Sequence, residues 1–78
     1  MTMTDDLLAS ARVYENVTPQ FGTVKKLCVT FSCDGTEMTI SSNACAGAEF
    51  KEEVHREEVN QKLVRFLENR PNCKVVMI

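Results

Sequence analysis

The sequence has little of what usually announces a function. It holds one histidine, no tryptophan, two prolines and three glycines in 78 residues. No apolar run approaches the roughly 20 residues of a membrane span, so no membrane partner is expected. The opening "MTMTDDLLAS" has neither a positive n-region nor an apolar stretch, and no secretory signal is expected from it. Neither sign of charge dominates: the net charge of −2 and pI near 5.3 give no sequence-wide attraction to phosphate. Nucleic acid is therefore discounted as a partner, since Lys25, Lys26 and Lys74 are too few to form a basic patch. There is no Cys-x-x-Cys or His-x₃-His pair, no Ser-His-Asp set and no glycine-rich phosphate loop, so neither a cofactor nor an enzyme is expected.

What remains is an ordinary globular composition, 44% hydrophobic and 26% charged, in a chain of single-domain length. One domain over residues 1–78 sits near the lower limit of what one core stabilises unaided. Without a signal the chain is expected in the cytoplasm, where four cysteines are more often free thiols or ligands than disulfides.

The strongest local pattern is a hairpin. In "VKKLCVTFSC", Leu27, Val29, Phe31 and Cys33 alternate onto one face, leaving Cys28, Thr30 and Ser32 on the other. Asp34-Gly35 fits a two-residue type I′ turn, which sets Cys33 opposite Thr36, Phe31 opposite Met38 and Val29 opposite Ile40. That register gathers the large apolar residues on one face, an independent check on the turn.

Helical signals flank the hairpin. Thr4 as N-cap, followed by Asp5 and Asp6, predicts a first helix with Leu7, Ala11 and Tyr14 on one stripe, although "ARVYENV" also reads as a strand. "VTPQFGT", residues 17–23, reads as a linker. A long helix is predicted over residues 48–69, stopped by Pro71, with acidic residues first and Lys62 and Arg65 later, in the order the helix dipole favours. "CKVVMI" ends the chain as a short strand. The expectation is an α+β fold in the order α-β-β-α-β, a three-stranded mixed sheet with helices packed on one face. The second and last strands should run parallel through a helical crossover.

The cysteines offer few chemical options. Cys28 and Cys33 point to opposite faces and lie roughly 16 Å apart along one strand, too far for a shared ion or a disulfide. A metal site would have to draw on one of them with Cys45, Cys73 and His55, without paired spacing to seed it. Cys45 precedes a predicted helix start, where a thiolate is favoured, yet His55 lies ten residues further and out of reach along a straight helix. His55, among Glu52, Arg56 and Glu58, reads as a solvated surface residue.

"CDGTEMTISSNACAGA", followed by a helix and a terminal "NCKVVMI", resembles the C-terminal domain of NifU-like iron–sulfur scaffold proteins over residues 24–78. The resemblance implies a hairpin, a cysteine loop, a helix and a final strand. It implies cluster chemistry through Cys45, the match to the family's first motif cysteine; the second falls on Ala48.

On the predicted helix, Val59, Leu63, Phe66 and Leu67 form one stripe, while Phe50, Val54 and Val64 lie on nearly the opposite side. The first helix covers that second stripe, or the helix breaks near Glu57, or the patch meets a partner or a second copy. The third option carries the functional expectation: a small non-enzymatic protein-binding module, an adaptor or an inhibitor of the phage type, docking through Phe50, Val54, Val64 and Glu57. On this expectation, aspartate at Phe50 or Val54 removes binding and spares the fold. The alternative is a metal or thiol carrier using Cys45.

Overall fold

The structure, a computed structural model, describes residues 3–77. The fold is α+β: helix α1 (Met3–Ala9), strands β1 (Arg12–Thr18), β2 (Gly22–Cys33), β3 (Thr36–Ser41) and β4 (Cys45–Ala46), a 3₁₀ turn over Gly47–Glu49, helix α2 (Glu52–Glu68) and strand β5 (Val75–Met77). Thr4, expected as the N-cap, lies inside α1; residues 1, 2 and 78 fall outside the described residues.

Every other strand pairs with β2, and every pairing is antiparallel. Cys28 pairs with Arg12 of β1 and with Ser41 of β3, so those two strands flank opposite sides. Phe31, Ser32 and Cys33 pair with β3 on one side and β5 on the other. The sheet is thus three strands wide, with β1 and β5 end to end along one edge and β4 and β3 along the other. The hairpin register is the predicted one, and Asp34 and Gly35 both take positive φ, 53° and 84°, as a type I′ turn requires. The second hairpin strand and the last strand do run in the same direction, but β2 lies between them. No neighbouring pair is parallel, so the sheet is antiparallel where a mixed one was expected.

The first helix stops earlier than its stripe predicts. Ser10 donates its hydroxyl to the Leu7 carbonyl at 2.7 Å, closing the end of α1, and the guanidinium of Arg56 donates to the Leu8 carbonyl at 2.9 Å. Beyond that cap, Val13, Tyr14, Val17 and Thr18 favour extended backbone, and seven successive pairs with β2 fix it. Tyr14 therefore belongs to a strand, and the expected linker is the tip of a second hairpin. Its turn closes with Gly22 at φ 69° and with Thr18 Oγ1, which accepts from the Phe21 amide at 3.0 Å.

The core is the odd-numbered face of β2 covered by both helices. Leu27, Val29, Phe31 and Cys33 meet Leu7 of α1 and Val59 and Leu63 of α2, all buried. Phe66 closes the far end, its ring edge-on to Phe31 at 5.5 Å. Met38, Ile40 and Val75 pack around this cluster. No helix among the described residues is long and apolar enough to cross a membrane.

Cys33 joins Cys73 in a disulfide with Cα atoms 5.6 Å apart, which replaces the expectation of free thiols for this pair. The turn and the last strand bring them together: the Asp34 amide donates to the Lys74 carbonyl at 3.1 Å, and the Lys74 amide donates to Asp34 Oδ1 at 2.9 Å. The bridge spans 40 residues of sequence, including all of α2. In the chain-entropy description a loop of that length stabilises the folded state by about 4 kcal/mol. Cys73→Ser should therefore lower the unfolding free energy by about that amount in denaturant titration, with the hairpin register unchanged in amide exchange.

Candidate functional site

The loop after β3 turns back on the sheet. The Ser42 amide donates to the Leu27 carbonyl at 2.9 Å, and the Leu27 amide donates to Ser42 Oγ at 2.9 Å. Ser42 is buried by this double attachment. Three residues on, β4 pairs Cys45 with Lys25 and Ala46 with Val24. Lys25 lies on the same face of β2 as Leu27, so Cys45 is placed toward the helical layer. The 3₁₀ turn and extended Phe50 then carry the chain outward before α2 begins at Glu52.

This path overturns the reading of His55. The predicted helix began at residue 48, but residues 45–51 are strand, turn and extended chain, and they fold Cys45 back over the first turn of α2. His55 is 7% exposed, and its two ring nitrogens face two side chains from the preceding loop. Nδ1 lies 2.6 Å from Ser42 Oγ, and Nε2 lies 3.4 Å from Cys45 Sγ. The Phe50 ring covers the imidazole with centroids 4.5 Å apart and planes tilted by 37°. Spacing did carry a signal that the charged neighbours masked. His55, Val59 and Leu63 are successive i, i+4 positions, so the histidine continues the buried stripe.

The other predicted residues are not brought together. Phe50 is half-buried against His55 and lies outside the helix. Val54 and Val64 are exposed on α2, ten residues and roughly 15 Å apart along the axis. Glu57 is exposed between them. The helix is continuous through Glu57, which removes a break there from the three alternatives. Around Val54 there is only a shallow cleft of about 490 Å³ lined by Ala48, Glu49, Lys51, Val54 and His55. Cys28 is the surface neighbour of Ser41 that the register predicted.

The largest exposed apolar side chains lie elsewhere, on the β1–β2 hairpin. Val17 and Phe21 are each 73% exposed, and Val13 and Tyr14 about half exposed. Val76 and Met77 of β5 extend the same edge. Lys26, one of the three lysines weighed for phosphate binding, sits over the Tyr14 ring at 5.3 Å, and Lys25 pairs in register with Glu15.

For metals, the described residues bring three ligand atoms within 4.8 Å of one another only at Cys33, Asp34 and Cys73. Both sulfurs there are joined in the bridge, and Asp34 Oδ1 holds the Lys74 amide. Cys45 and His55 lie in a different part of the sheet, so the ligand set weighed from sequence is not assembled. No family model, curated protein or solved structure matches the chain.

Two substitutions separate the buried array from the exposed helix face. Ser42→Ala leaves the Leu27 amide and the imidazole without their shared partner and should cost about 1–3 kcal/mol. Val54→Asp changes an exposed position and should stay within about 0.5 kcal/mol of wild type. Thermal or denaturant unfolding of both variants checks the pair.

Proposed function

We propose that this chain is a non-enzymatic protein-binding module, a small adaptor or inhibitor that takes an extended segment of a partner protein along the free edge of β1. The observation that carries this reading is the state of that edge. Among the described residues β1 pairs on one side only, across seven uninterrupted residues, and Arg12 through Val17 are exposed on both faces. An unpaired strand of this length is a template for another strand, and proteins ordinarily blunt such edges with proline, lysine or a bulge. Arg12–Thr18 contains no proline or lysine, and its continuous register contains no bulge; its charges are Arg12 at the end of the strand and Glu15, which faces Lys25 across the pair.

Strand addition fits the side chains as well. Val13 and Val17 share the helix-side face and Tyr14 the opposite one, so a partner strand with alternating apolar residues gains contacts as well as main-chain hydrogen bonds. The surface proposed here replaces the helix patch as the main docking site. Phe50 is engaged with His55, and Val54 and Val64 are separate exposures on α2.

The compartment reading shifts with the bridge. Disulfides persist in oxidising surroundings, so Cys33–Cys73 favours such a compartment over the expected cytoplasm.

The test is affinity capture with three baits: wild type, the double variant Val13→Asp/Val17→Asp, and Val54→Asp. A protein enriched by wild type and Val54→Asp but lost from the double variant supports docking on β1. Loss from Val54→Asp with retention by the double variant places the site on α2. Both variants should unfold within about 1 kcal/mol of wild type, because the altered side chains are largely exposed.

A further inference from the structure

The buried array at the start of α2 does something the edge of β1 does not require. His55 is held from three directions: Ser42 at Nδ1, Cys45 at Nε2 and Phe50 across the ring face. Ser42 Oγ takes the Leu27 amide on one lone pair and has a second for the Nδ1–H of the imidazole. In the tautomer that carries its proton on Nδ1, the Nε2 lone pair faces the Cys45 thiol, 3.4 Å away. A nucleophile, a base within reach and a third group orienting the base are the parts that nucleophilic thiol chemistry needs. Cys45 is half-buried, so its sulfur is not sealed in the core.

From this geometry we infer that Cys45 is a nucleophilic site for organic disulfides, with His55 as its base and Ser42 as a positioning residue. In the reaction, the Cys45 thiol gives its proton to Nε2 as its sulfur attacks one sulfur of R–S–S–R. The S–S bond breaks, its electron pair leaves on RS⁻, and the imidazolium returns the proton to give RSH. Cys45 is oxidised to the mixed disulfide Cys45–S–S–R, and half of the reagent is reduced to thiol. The site is independent of the β1 docking surface, and neither depends on the other.

The chain contains its own control. Cys28 is the second free cysteine, also half-buried, but its cross-strand neighbours are Arg12 and Ser41 rather than an imidazole. The experiment treats the oxidised, bridge-intact protein with 4,4′-dithiodipyridine at neutral pH and follows each cysteine by quenched peptide mass mapping. In wild type Cys45 should react at least tenfold faster than Cys28. His55→Gln should lower the Cys45 rate at least tenfold and leave Cys28 unchanged, and Ser42→Ala should lower it several-fold. A merely structural role for His55 gives a different result, because a loosened fold exposes both thiols and raises both rates. Equal wild-type rates, or acceleration of both cysteines in His55→Gln, overturns the assignment; the wild-type ratio decides the matter if His55→Gln does not fold.

Discussion

Everything in this fold hangs on one strand. β2 supplies the main-chain partners for all four other strands and, on alternate residues, the floor of the core. A twelve-residue strand rises about 40 Å, longer than the roughly 25 Å of α2, the longer of the two helices that cover it. The helices therefore bury only the half from Leu27 to Cys33, and the half from Gly22 to Lys26 extends past them as a ribbon with β1 and β4. The elongated shape, 41 by 22 by 19 Å, follows from that mismatch. A stable, bridged body and an exposed, strand-edged extension are two consequences of the same long strand.

The two halves divide the chemistry. In the covered half, the core is packed and the Cys33–Cys73 bridge ties the hairpin turn to the segment before β5. At the junction, where β4 leaves the sheet and α2 begins, the chain must satisfy buried polar groups, and it does so with Ser42, His55 and Cys45. No described buried side-chain nitrogen or oxygen is left without a partner. An array built to satisfy hydrogen bonds in a low-dielectric setting also fixes the imidazole in a single orientation, and a fixed imidazole beside a thiol has chemical consequences.

Much of the body was legible in the sequence. The Asp34-Gly35 turn and the alternation through Phe31 fixed the β2–β3 register, because both faces of a strand obey a period of two and a one-residue slip would bury Thr30 and Ser32. The Val59–Leu63–Phe66 stripe likewise met the sheet as its spacing required. Cys45 was legible as a chemical candidate, but its contact with His55 and the Cys33–Cys73 bridge were not, for two physical reasons. Helical periodicity from residue 48 onward ran through a segment that is actually 3₁₀ turn and extended chain up to Lys51, which hid the return of Cys45 over the first turn of α2. The Cys33–Cys73 pairing depends on where β5 lies beside β2, a non-local fact that residue spacing alone does not encode. β1 failed for a related reason: a short stretch with both helical and strand character is decided by its partner, and that partner is β2.

The placement of the core cover on α2 also sets an order on the ribosome. By the time β3 has emerged, the apolar floor of β2 is complete, with only Leu7 of α1 available to lie on it. Val59 and Leu63 follow some twenty residues later, which at ordinary synthesis speeds is on the order of 1–4 s. For that interval Leu27, Val29 and Phe31 present a sticky surface to whatever waits at the tunnel exit. Cys73 comes later still, so the thiol of Cys33 spends most of synthesis without its partner and is open to other oxidants. The nascent chain of this small domain is thus more exposed to chaperones and to stray thiol chemistry than the finished fold suggests.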